Sequence, residues 1–272
     1  MLAEARTALF QAISVRHTPE GKFGLLSSAA WWATHTKALG FILVLIASWI
    51  MAMIEARRLA SFGLPLRRAF RKTFWLGAGL GFAAITSLLF AMRLLGVFQF
   101  GGIGLQGAQI GKYAILSGAA CLFVGLFEES LFRGYLQFTL TAGVGFWPAA
   151  IITSAIFGYM HHSNRGETLM GTFSAGAAGF LFCLFLRRTG DLWMPVGFHT
   201  AWNWGESYFF GVPDSGGVSS RHLFNAIFSG PQWLTGRTVG PEGSWLCLIL
   251  IAILFVVLAR WMRQVKYPDP AA

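Results

Sequence analysis

The sequence predicts an all-α membrane protein: a polytopic bundle of about seven or eight transmembrane helices around a cavity within the membrane. Three observations predict it. Of the 272 residues, 55% are hydrophobic and 12% charged, against about 25% charged in a soluble domain; too little polar surface exists to cover a water-soluble globule. The apolar residues gather in runs of about 20, the length that crosses a bilayer core as a helix. Polar or ionisable residues interrupt three of those runs, which a chain tolerates where they face protein or water instead of lipid. The runs lack the alternation of barrel strands, and an open sheet edge cannot sit in lipid.

Taken in order, residues 1–23 are polar and mixed, and no cleavable signal peptide is expected. Residues 24–36 (FGLLSSAAWWATH) are too short to span; they predict an interfacial helix with Trp31 and Trp32 at headgroup depth. Seven candidate spans follow. The first, 38–54, is unbroken apolar sequence, and the second is 74–96. The third, 111–140, is long and is followed by a turn near 141–145, which sends the fourth, 146–162, back beside it. The fifth is 167–186. The sixth, 192–210, opens with Pro195 and Gly197, which permit close or irregular packing, and the seventh is 244–262. Two segments result: 1–105, with the interfacial helix and two spans, and 106–272, with the rest.

The formal net charge of +10 lies in short clusters between apolar runs, which points to membrane topology and anionic lipid and away from nucleic acid. Arg57, Arg58, Arg67, Arg68, Arg71 and Lys72 follow the first span, Arg187 and Arg188 end the fifth, and Arg260, Arg263 and Lys266 end the last. Counting spans puts all three clusters on one side, the cytoplasm by the positive-inside rule, with the C-terminus there too. The loops 97–110 and 211–243 fall on the opposite side, although 211–243 holds Arg221 and Arg237. That loop, with Asp214, His222 and Trp233, is either a cover for the cavity or a passive connector. Cys121, Cys183 and Cys247 lie in apolar runs without CxxC spacing, so neither a disulfide framework nor a thiolate metal site is expected.

The chemistry is concentrated in the third, fourth and sixth spans. In the third, Glu129 and Arg133 stand at i,i+4 with the acid first, the better order for a helical ion pair. Glu128 points about 100° away and lacks a good local partner, and a buried carboxylate without a fixed counter-charge is a candidate general base. The bland alternative is that all three form an interhelical ionic lock. In the fourth span Phe157 and His161 share a face, while His162 points elsewhere. Glu128 and His161 each lie roughly 20 Å from the turn that joins their helices, hence at one depth. In the sixth, His199 and Asn203 share a face and can donate to a carbonyl oxygen as it becomes negative. Taken singly, they read as hydrogen-bonding glue between helices. Ser174 is more simply a packing residue than a nucleophile, and Asp191, Asp214 and Asp269 lie deep in no span.

In order, E-E-x-x-x-R (Glu128, Glu129, Arg133), F-x-x-x-H (Phe157, His161) and H-x-x-x-N (His199, Asn203) resemble the CAAX prenyl endopeptidase and bacteriocin-processing (CPBP, or Abi) family of intramembrane proteases. The resemblance covers roughly 110–210, and G-P-E-G-S at 240–244 is similar to bacterial members. It implies a protease-like core over 106–272, a catalytic cavity open to water and an endopeptidase acting near the membrane. Its substrate would be a protein or peptide, prenylated or membrane-embedded. By position, Glu128 with His161 would activate water, His199 and Asn203 would stabilise the oxyanion, and Glu129, Arg133 and Phe157 would support them. The bacterial cytoplasmic membrane is the location the resemblance implies.

No metal is favoured, since H-E-x-x-H is absent; a zinc-dependent version would draw on Glu128, His161 and His199 as ligands. Two other classes stand beside the hydrolase. A proton-coupled transporter uses the same intramembrane residue types, but no internal repeat is visible. A non-catalytic peptide-binding scaffold or bacteriocin-immunity factor is the third.

Overall fold

The computed structural model describes residues 29–164 and 166–267, apart from the side chains of 29–34. It is mostly helical, at 71%. In chain order the helices are α1 (Ala29–Ile54), α2 (Lys72–Leu94), α3 (Ala108–Arg133), α4 (Tyr135–Val144), α5 (Phe146–His161), α6 (Leu169–Thr189), α7 (Trp193–Trp204) and α8 (Trp245–Trp261). Four described stretches are long and apolar enough to cross a membrane: 35–54, 72–94, 108–144 and 169–189; α8 is a shorter apolar helix. Lipid-facing character shows on α1, where Leu39, Leu43, Trp49 and Met53 are all more than half exposed. An apolar surface of that kind is costly in water and natural in a bilayer. With these helices, the chain reads as an integral membrane protein.

Helix ends follow local chemistry. Thr168 caps α6, its Oγ1 accepting from the Gly171 N–H at 3.1 Å, and Gly190 closes that helix in the left-handed region at φ 75°, where a residue without Cβ carries no strain. Ser244 caps α8 by accepting from the Cys247 N–H at 3.2 Å. The third predicted span departs from expectation. The helix breaks at Gly134, whose ψ of −130° is non-helical, so α3 stops immediately after Arg133 and α4 starts afresh. The turn predicted near 141–145 falls at Gly145, at φ 85°. The expected interfacial helix over 24–36 lies partly outside the described residues; from Ala29 onward the chain runs into the first span as one unbroken helix.

Helices α2 and α7 form the tightest seam. A Cβ on Gly77 would collide with the Met194 carbonyl, one on Gly81 with that of Phe198, and one on Gly197 with that of Phe74. In lipid no hydrophobic force pulls helices together, so close backbone approach through small residues does that work. Around the seam, Ile85, Leu88, Leu89 and Met92 of α2 pack with Leu181, Phe185 and Phe198 in one apolar cluster. A second, lined by Phe74, Leu126, Phe138, Phe146 and Val196, joins α3, α4 and α5 to α7.

At the opposite end from the Arg-rich loops, β1 (Phe98–Ile103) and β2 (Phe224–Phe228) pair antiparallel, Phe98 facing Phe228 and Phe100 facing Ala226. This ladder, unanticipated in the sequence, ties the loops 97–110 and 211–243 together and agrees with their placement on one side. After α7 the chain continues as a π-helical segment, Gly205–Phe210.

Candidate functional site

A cavity of about 460 Å³ opens among α1, α3, α5, α6 and α7. Glu128, His161, His199 and Asn203 all line it, as does Phe157. The motifs of three helices, spread over residues 128–203 of the sequence, therefore meet at one hollow. Glu129 and Arg133 do not line it but lie behind its wall. Glu129 and Arg133 are fully buried, with the guanidinium Nη1 3.5 Å from Glu129 Oε1. The guanidinium also lies 4.3 Å from the centre of the Phe157 ring, a cation–π contact. Phe157 in turn packs on His161, ring centres 4.4 Å apart.

His199 is held from two sides. Its Nδ1 is 3.0 Å from Glu129 Oε1, and its ring stacks on Phe182 at 5.4 Å. With Nδ1 engaged, Nε2 is aimed at the cavity and lies 3.8 Å from Glu128 Oε2. Fixing one imidazole nitrogen in this way determines what the other can offer. His161 is likewise oriented by one nitrogen, Nδ1, which meets the Phe157 carbonyl at 2.8 Å. His162 is exposed, faces Thr172 at 3.3 Å and does not line the cavity. The Asn203 amide makes no hydrogen bond to a described residue, whereas its backbone carbonyl accepts from Ser207. Ser174 lines the cavity but no described histidine bonds its hydroxyl.

One expectation is corrected. Glu128 does have a fixed counter-charge: Lys37 Nζ of α1 stands 2.6 Å from its Oε1. The ammonium also lies 5.1 Å from the centre of the Phe127 ring and lines the cavity. Lys37 was invisible to motif reading because it sits 91 residues away in sequence; an ionisable residue at the edge of the first span was the one available signal.

A second polar group went unread. Glu206, in the π-helical segment, is fully buried, and Asp214 and Glu242 of the following loop are half-buried. One carboxylate oxygen of each lies within 4.8 Å of the others. Asp214 accepts from the Ser207 hydroxyl at 2.7 Å. Glu242 accepts from Trp202 Nε1 at 3.1 Å and from the Ser215 N–H and hydroxyl at 3.0 and 2.8 Å. Burial, with Glu242 beside it, pushes Asp214 up to about 7. Asp214, Ser215, Gly217 and Glu242 also line the cavity, so the loop 211–243 is a wall of it. Glu206 could have been found by the rule that picked out Glu128, an acid inside an apolar run. Among the described residues, these three alone bring three potential metal-ligand atoms so close; Glu128, His161 and His199 do not form such a group.

Residues 110–205 match the family model for type II CAAX prenyl endopeptidase, Rce1-like. The match spans all three motifs and shows the resemblance to the CAAX prenyl endopeptidase and bacteriocin-processing family over that segment. No curated protein and no solved structure matches the chain.

Proposed function

We propose that this chain is an intramembrane endopeptidase in which Glu128 activates a water molecule against a peptide bond near the membrane. The observation that carries the reading is the convergence of Glu128, His161, His199 and Asn203 on one cavity, inside the segment that matches the endopeptidase family. In the bundle of about seven spans read from the sequence, that cavity lies within the membrane.

The water binds between Glu128 and His161. Its oxygen attacks the scissile carbonyl carbon while its proton passes to Glu128, and the carbonyl oxygen becomes an oxyanion. His199 Nε2 and the Asn203 amide donate to that oxyanion. For His199 to donate from Nε2 while Nδ1 donates to Glu129, the ring carries both protons. Glu128 then gives its proton to the departing amine nitrogen as the C–N bond breaks, leaving a carboxylic acid, which keeps the water's second proton, and an amine. A base must be ionised before it can accept a proton, and Lys37 is the cation beside it. Glu129 and Arg133 set the His199 ring, and Phe157 spaces the guanidinium from His161.

The Asn203 amide, which lines the cavity and bonds no described residue, supports the donor role, since its N–H groups are available to a ligand there. A zinc-dependent version would draw on Glu128, His161 and His199, whose donor atoms do not all lie within 4.8 Å of one another. The substrate we infer is a membrane-associated peptide, with a prenylated CAAX sequence the first to try. The location we infer is a bacterial cytoplasmic membrane, with the C-terminus on the cytoplasmic side.

The test is cleavage of a quenched peptide library, including a farnesylated CAAX peptide, by purified protein in detergent. Wild type should cleave at least one member. Glu128→Gln, an isosteric change, should reduce the rate at least 10³-fold while the protein stays folded, and His199→Ala should fall by about 10². Cleavage that survives Glu128→Gln sinks the mechanism. Substrate-driven ion flux in liposomes without cleavage would favour the transporter, and a phenotype indifferent to Glu128→Gln the scaffold.

A further inference from the structure

The acidic group of Glu206, Asp214 and Glu242 has no part in the hydrolytic steps above. It brings three carboxyl groups together in a half-buried to buried setting. The donors that reach it are neutral: the Ser207 and Ser215 hydroxyls, the Ser215 N–H and the Trp202 indole. Among the described residues no lysine or arginine forms an ion pair with any of the three. Glu206 is the decisive member. It is 0% exposed, and neither of its carboxylate oxygens has a hydrogen-bond partner. A buried carboxylate with nothing to accept from is an expensive arrangement. Its oxygen is nonetheless aimed at those of Asp214 and Glu242, all three within 4.8 Å.

We propose that Glu206, Asp214 and Glu242 form a binding site for a hard divalent cation, calcium or magnesium, that fastens the loop 211–243 to the end of α7. The donor set is all oxygen, the choice of calcium and magnesium and unlike the nitrogen- and sulfur-rich sites of zinc. A cation between the three supplies the missing partner of Glu206 and offsets two of the negative charges that the ionised carboxylates carry. The route in is the cavity, which Asp214 and Glu242 line. The anchoring follows from chain connectivity: Glu206 continues from α7, whereas Asp214 and Glu242 stand near either end of the loop. One ion therefore pins both ends of the cavity wall to the helix that carries His199 and Asn203. This inference does not rest on the hydrolase reading.

The test is direct binding to the full chain in detergent after treatment with a chelator. Calcium chloride and magnesium chloride are titrated separately, with sodium chloride at matched ionic strength as control. Heat of binding and thermal unfolding are both followed. Wild type should bind one ion per chain and unfold several degrees higher when saturated, and the cation with the larger shift is the natural one of the two. Glu206→Gln should weaken binding at least tenfold and remove the shift, yet unfold at or above the wild-type temperature without cation, because it relieves repulsion. Asp214→Asn, at the edge of the group, should behave alike and serves as the readout if Glu206→Gln does not fold. Absence of stoichiometric binding by wild type at millimolar cation overturns the proposal. So does binding unchanged in both variants. A protein that binds the ion and cleaves nothing counts against the hydrolase, not against this site.

Discussion

Replacing Gly81 by alanine tests whether the α2–α7 seam sets the position of the site. On an open helix face, Gly→Ala stabilises by about 0.8–1 kcal/mol through helix propensity. Gly79, on the same helix, has nothing within 4 Å of a built Cβ, so Gly79→Ala should show that gain. At Gly81 the added methyl meets the Phe198 carbonyl, and at Gly197 it meets that of Phe74. Both obstacles are backbone, which cannot rotate aside. Overpacking of this kind costs about 1–3 kcal/mol, which offsets the propensity gain, and Gly81→Ala should lie roughly 1–3 kcal/mol below Gly79→Ala. The strain is relieved by moving α7 outward, and α7 carries His199 and Asn203. A displacement near 1 Å costs about 10² in rate. Thermal unfolding in detergent ranks the variants, and peptide cleavage reads the site. Equal stability and equal cleavage for Gly79→Ala, Gly81→Ala and Gly197→Ala would refute the close seam and its hold on the site.

Arg133→Met strips the buried Glu129 of its cation and should cost about 3–5 kcal/mol; the double variant Glu129→Gln, Arg133→Met should recover much of that stability but not cleavage, because His199 loses its anchor. Arg133→Lys should not rescue either property, since the planar face over Phe157 is lost; full recovery by lysine would sink that account. Asp191, between α6 and α7, accepts from the Trp193 N–H at 3.1 Å and pairs with Arg68 at 3.2 Å, yet burial holds its carboxyl above the usual aspartate range. A carboxyl raised in the folded state loses stability as pH climbs from the unfolded value through the folded one. Asp191→Asn, which keeps an acceptor for Trp193, should therefore gain on wild type above that window and not below it; unfolding temperatures measured across pH decide, and a gain confined to acid pH would reverse the reasoning. Asp191→Leu should cost about 1–3 kcal/mol at every pH through the orphaned N–H.

Much of the fold was legible because its determinants are local or compositional. Apolar runs gave the helices, although only four described stretches are long and apolar enough to cross a membrane, and a glycine at 145 gave the turn between α4 and α5. The pairing of Glu129 with Arg133, the shared face of Phe157 and His161 and that of His199 and Asn203 followed from the 3.6-residue period, since i,i+4 neighbours touch in any α-helix. The break at Gly134 was less legible. A glycine inside an apolar run is tolerated in helix, and only its neighbours decide whether it bends.

What the tertiary structure alone decided is of another kind. It brought Lys37 to Glu128 across 91 residues, chose His161 over His162 for the cavity and turned the ring nitrogen of His199 towards Glu129. It also folded the loop 211–243 back as a wall, so that Asp214, deep in no span, meets Glu206 and Glu242. Sequence by itself determines which groups are present and which face of its own helix each occupies. The partner of a buried charge depends on the packing of helices far apart in the chain, and that partner determines whether the charge is a paired support, a base or a ligand.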